Sequence, residues 1–135
     1  MKNFTAILFT VLIFCACNQT SKKLKERITN ADSIAVNYFK GDGSMDTVVA
    51  VKIVKDKKEI EQLAGFITAG SASLKNKCGY DGSIHFFKSD RVIQDVFFSS
   101  NKEDCRQFVF ISGGKQAATA LPAEAAYFLS AIKNK

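Results

Sequence analysis

Three short runs, near residues 83–88, 91–98 and 106–112, carry six of the twelve phenylalanines: Phe86, Phe87, Phe97, Phe98, Phe108 and Phe110. Aromatic residues in runs this short suit a pleated, half-buried surface, so each run reads as a strand. Gly113-Gly114 is a tight turn, and Gln116–Ala120 follows it as a further strand. Upstream, Ile34, Val36 and Tyr38 alternate within Ala31–Phe39, the period-two pattern of a strand. The turn Lys40–Asp46 leads into a Val- and Ile-rich run, Thr47–Val54, and the two strands make a hairpin.

Two segments carry the helical period instead. Asp56-Lys57-Lys58-Glu59 has capping-box spacing, and Ile60, Leu63, Ala64 and Ile67 then fall on one helical face. Near the C-terminus, Pro122 suits a first helical position, and Ala125, Phe128, Leu129 and Ile132 repeat the stripe. The element order is β-β-α-β-β-β(-β)-α. Consecutive short strands favour antiparallel pairing, so the expected fold is α+β: an antiparallel sheet of about five or six strands with two helices packed on one face.

A chain of 135 residues, 47% hydrophobic and 24% charged, holds enough apolar surface for one compact domain. The formal charge is +6, with 19 Lys and Arg against 13 Asp and Glu. The basic residues are scattered and lack the clustering with aromatics that a nucleic-acid site requires, so no nucleic-acid partner is expected. His85 is the sole histidine, which excludes mechanisms that need two.

The N-terminus opens with Lys2 and an apolar run from Phe4 to Phe14. That run is about half the ~20 residues a membrane-spanning helix needs, and small residues follow it, as in a secretory signal. Phe14-Cys15-Ala16-Cys17 resembles the lipobox of bacterial lipoproteins. The small residue required before the lipidated Cys is Ala16, before Cys17, rather than Phe14, before Cys15. The resemblance implies that residues 1–16 are a lipoprotein signal peptide. Cys17 then becomes the mature N-terminus, bearing thioether-linked diacylglycerol and an N-acyl chain. Several acyl chains on one residue give firm attachment, since one chain binds only marginally. Asn18, in place of the Asp that retains such proteins in the inner membrane, points to the outer membrane and its periplasmic face. Residues 17–30 read as the lipidated N-terminus and a polar tether carrying Lys22, Lys23, Lys25 and Arg27; residues 31–135 form the domain.

Apart from Cys17 and the signal segment, two cysteines remain, Cys78 and Cys105. In an oxidising compartment an even pair is expected to form a disulfide. Each precedes a strand, and in an up-down-up meander both strand starts lie at one end of the sheet. Closing a loop of roughly two dozen residues contributes ~3–4 kcal/mol. A metal site of Cys78, His85 and Cys105 lacks paired Cys-x-x-Cys spacing and a fourth ligand.

Other motifs fail on spacing. Asp42–Asp46 begins like a calcium loop, but Thr47 replaces the required Gly and Ile53 the required Glu. Gly113-Gly114-Lys115 lacks the other residues of a phosphate loop. A serine–histidine–carboxylate trio has to use His85, with Ser83 and Asp81 nearby in sequence, but no sharp nucleophile turn surrounds the Ser. His85 and Phe87 share one strand face while Ile84 and Phe86 point the other way. Whether Gln94 or Asp95 joins them depends on register. His85 and Phe87 therefore mark a candidate binding face on one side of the sheet, although both sides of the Phe-rich strands carry apolar residues. No catalytic, metal or cofactor-binding residue is assigned. The expected protein is a membrane-anchored bacterial envelope lipoprotein. It is a small non-catalytic binding or accessory module, held to membrane lipid through Cys17 and contacting an unidentified envelope protein. The alternatives are an inhibitor of a periplasmic or wall-degrading enzyme, or a small Cys/His-dependent enzyme.

Overall fold

The computed structural model describes residues 16–42 and 44–135, with side chains from residue 21 onward. Residues 1–15, with Cys15, lie outside the described residues, so the expected signal peptide, 1–16, falls there but for Ala16. Cys17 falls within a helix whose first side chains lie outside them too. Three helices and six strands follow in the order α1 (Ala16–Thr29), β1 (Ser33–Phe39), β2 (Val48–Val54), α2 (Lys57–Thr68), β3 (Gly82–Lys88), β4 (Arg91–Ser99), β5 (Gln107–Ser112), β6 (Lys115–Ala120) and α3 (Ala123–Lys133). The strands form one antiparallel sheet in the order β2-β1-β3-β4-β5-β6. The α+β class and antiparallel sheet match expectation. Among the described residues no helix is long and apolar enough to cross a membrane.

Two expectations are corrected. Three helices pack on the sheet, not two, and the segment read as a polar tether forms α1. The physical reason is Leu24 and Ile28, one turn apart and buried at 4% and 0% exposure in the same core as the other helices. The remaining side chains from Ser21 to Arg27 are exposed, so the lysines and Arg27 form the helix's solvent surface.

Alternation places Ile34, Val36, Tyr38, Ile84, Phe86, Val96, Phe98, Phe108 and Phe110 on the helix-covered face. Ile60, Leu63, Ala64 and Ile67 of α2 and Ala125, Leu129 and Ile132 of α3 meet them, as their stripes predict. The Tyr38 hydroxyl donates to the Leu129 carbonyl at 2.6 Å, which satisfies the one polar atom of a buried ring. Thr119 Oγ1 donates to the Ile67 carbonyl at 2.7 Å and fixes β6 to α2.

The caps show where sequence pattern and geometry part. Asp56 accepts from the Glu59 amide at 3.0 Å, one half of the capping box. The Glu59 carboxylate bonds Lys135 instead of turning back. Pro122 is the cap of α3 rather than its first residue. Gly113 and Gly114 take φ +59° and +75°, the left-handed pair that a two-residue hairpin turn requires. The β3–β4 turn makes the same demand of Ser89 and Asp90, at φ 48° and 61°. Asp32 holds it by accepting from the Ser89 amide and from Lys88 Nζ, each at 2.9 Å. Those bonds keep the Asp32 carboxyl below its ordinary value of 3.8.

Candidate binding face

With all three helices on one side, the other face of the sheet carries none among the described residues. It is closed only near one end, by the connection from α2 to β3. Ala72 pairs with Ala118 beyond the β6 edge. The buried Gln107 amide then exchanges two hydrogen bonds with Lys75, donating to its carbonyl at 3.1 Å and accepting from its amide at 3.0 Å. Cys78 and Cys105 are joined, with Cα atoms 5.6 Å apart, and Tyr80 stacks on Phe97 at 5.0 Å between ring centres. The disulfide takes up the thiols that a Cys/His mechanism or a metal site at these positions needs. It pins the connection across the sheet end, and Cys105 closes a short 3₁₀ turn before β5.

Among the described residues no helix or loop crosses the rest of the face, and its exposed large side chains are mostly apolar. Val51 and Ile53 of β2, Val92 and Phe97 of β4 and Ile111 of β5 are exposed by 36–60%. His85 and Phe87 lie on this face as expected, both half-buried, Phe87 near the sheet end between Ser33 and Val92. Residue 95, not 94, joins them. Counting back from the Ser89-Asp90 turn puts Gln94 opposite His85, but an extra residue in β4 shifts the register between Phe86 and Phe87. Asp95 therefore faces His85, and Gln94 turns to the core side opposite Phe86.

A polar chain results at the centre of the face. Asp95 Oδ1 lies 2.6 Å from His85 Nδ1, His85 Nε2 lies 3.0 Å from Ser83 Oγ, and Asn37 Nδ2 lies 3.1 Å from the same Nε2. A carboxylate only accepts, so the neutral ring carries its proton on Nδ1 and Nε2 receives the Ser83 and Asn37 donors. The small Ala35, opposite His85 on β1, leaves room for the ring. Asp81, the acid nearest in sequence, serves elsewhere. Its carboxylate accepts from the Ser100 and Asn101 amides at 2.6 and 2.9 Å and shapes the loop after β4.

The chain has the connectivity of an acyl-transfer triad but not its setting. Ser83 is 3% exposed, paired between Asn37 of β1 and Phe97 of β4. Strand β3 is paired on both sides, so its backbone N–H groups serve the ladder rather than an oxyanion. The arrangement orients a carboxylate toward solvent: Asp95 is 54% exposed, with His85 fixing one oxygen.

Next to Asp95 the sheet splits. Strands β4 and β5 pair only from Val96–Phe110 to Ser99–Gln107, so among the described residues no strand pairs with 91–95 on that side. Gln94 bridges the gap from the core side. Its amide donates to the Asp95 carbonyl at 3.0 Å and the Ile111 carbonyl at 3.3 Å, and its oxygen accepts from Arg27 of α1 at 3.1 Å. Above the bridge lies a cleft of about 370 Å³, walled by Val92, Phe97, Val109 and Ile111, with Asp95 and Gln116 at its rim. No motif marks this site in the sequence, because it depends on the β4 irregularity and on where pairing stops. Compared with known proteins, the chain matches no family model, no curated protein and no solved structure.

Proposed function

We propose that this chain is a membrane-anchored bacterial envelope lipoprotein, a small non-catalytic binding module that docks an envelope protein on the uncovered face of its sheet. The observation that carries the reading is that face: five exposed large apolar side chains around the Asp95–His85–Ser83 chain. Exposed apolar surface rimmed by polar groups is what a protein partner covers. The lipobox-like residues 14–17 supply the anchor, and Asn18 favours the outer membrane facing the periplasm. The Cys78–Cys105 pair accords with an oxidising compartment.

Anchoring at Cys17 has a mechanical consequence. Cys17 stands in the first turn of α1, and Leu24, already in the core, lies about 10 Å along the helix at 1.5 Å per residue. The module would ride on a helix continuous with its fold, held near the bilayer.

Photocrosslinking in intact envelopes tests the docking. A benzophenone side chain at Ile53 or Ile111 is expected to capture one discrete protein partner. The same group at Glu61, exposed on α2, is expected to capture none. Equal capture from all three positions, or none at native expression from Ile53 and Ile111, contradicts the reading.

A further inference from the structure

We propose that the split between β4 and β5 is a binding site for a small organic cation, its apolar body against Val92, Phe97 and Ile111 and its ammonium group on Asp95. The site shares Val92, Phe97 and Ile111 with the face proposed for a protein partner but does not rest on that reading, and the titration below is made on the chain with no partner present.

The size, walls and charge of the cleft favour that ligand. Its volume of about 370 Å³ lies at the lower end of the roughly 300–1,000 Å³ of small-molecule sites. The walls are apolar side chains of the open face, and the split lets the cleft reach Phe110 and Gln94, which belong to the other side of the sheet. Asp95 is the one charged residue among those lining it. Its Oδ1 is committed to His85 Nδ1, so Oδ2 is the oxygen presented to a ligand, on a side chain 54% exposed. A carboxylate at the edge of an apolar cleft selects a cation over an anion.

The chain's overall positive charge does not reverse this choice. Arg27 stands beneath the floor on the helix side, where its guanidinium donates to Gln94 Oε1 rather than to the Asp95 carboxylate, and the cations on the cleft's own strands, Arg91 and Lys115, pair with Lys88 and Ser112 and alternate to the same side of the sheet. More distant lysines are screened beyond a Debye length of about 8 Å at physiological salt. The floor is fixed, because Gln94 is bonded on three sides, to Arg27, Asp95 and Ile111. A preformed floor lowers the ordering cost of binding.

Nuclear magnetic resonance titration of the full chain in detergent micelles tests the site with three probes of one shape: benzylammonium, benzyl alcohol and benzoate. Benzylammonium is expected to shift the amides of Val92, Asp95, Ile111 and Gln116 in a saturable way. Benzyl alcohol is expected to bind about five-fold more weakly, the discrimination of one solvent-exposed charge pair, and benzoate more weakly still. Asp95→Asn is expected to abolish the preference of benzylammonium over benzyl alcohol, and Phe97→Ala to weaken all three probes alike. Equal binding of the three probes to the unaltered chain overturns the proposal without the variants. So does the absence of saturable shifts at those four amides.

Discussion

Gly82 opens β3 directly opposite Phe98, and the ring of Phe98 lies against its backbone. A Cβ built there falls well inside van der Waals contact with both the Phe98 ring and the Asn37 carbonyl oxygen. Backbone cannot rotate away as a flexible side chain can. Gly82→Ala is therefore expected to destabilise the fold by about 1–3 kcal/mol, toward the upper end, as a lower midpoint in urea. Tyr38 makes a complementary prediction. Burial raises its pKa above the ordinary 10.0, so the folded state holds the protonated phenol. The stability tied to that group is complete below pH 10.0 and is lost as pH rises past it, because the unfolded chain ionises first. Tyr38→Phe is expected to cost about 1–2 kcal/mol at neutral pH through the lost bond to Leu129, and to remove this part of the alkaline decline. Urea midpoints of both proteins from pH 7 to pH 11 check both statements; parallel alkaline declines contradict the second.

Among the elements, α1 gave the weakest sequence pattern. Its described residues hold two core side chains, Leu24 and Ile28, amid lysines, Glu26 and Arg27, a composition shared with solvated linkers. Only the surface they meet, on α2 and the sheet, decides between linker and helix. The stripes of α2 and α3 needed no such context, because three or more apolar residues recur at helical spacing. Ile28→Ala is expected to cost about 2–5 kcal/mol, as for any fully buried Ile, whereas truncating a linker residue costs almost nothing. Thermal unfolding in matched detergent distinguishes the two. The α2–β3 connection depends in the same way on one covalent link. Reducing the Cys78–Cys105 bond, 27 residues apart in sequence, is expected to lower stability by ~3–4 kcal/mol. Amide exchange is expected to quicken first between Ala72 and Asp81, where the connection crosses the sheet. Uniform loss of protection across all six strands contradicts that local role.

For the whole molecule, alternation in β1 and β3–β5 and the helical stripes carried the fold class, because each is local. Which face stays uncovered is not local. It follows from all three helices choosing one side, and the sequence pattern showed only that both sides of the Phe-rich strands are apolar. His85 and Phe87 were legible as a pair on that face, being two apart on one strand. Asp95, Ser83 and Asn37 converge on His85 from positions set by the β4 irregularity and by pairing with β1, neither of which a strand's own residues record. Those elements leave one sheet face without a helix among the described residues and an N-terminal helix packed on the core. The central proposal is that Cys17 is acylated and ties the molecule to the envelope. Intact-mass spectrometry of the detergent-extracted protein tests it most directly. The account predicts a chain beginning at Cys17 and heavier than residues 17–135 by a diacylglyceryl group and a third acyl chain; a species that retains residues 1–16, or begins at Cys17 without added fatty mass, contradicts it.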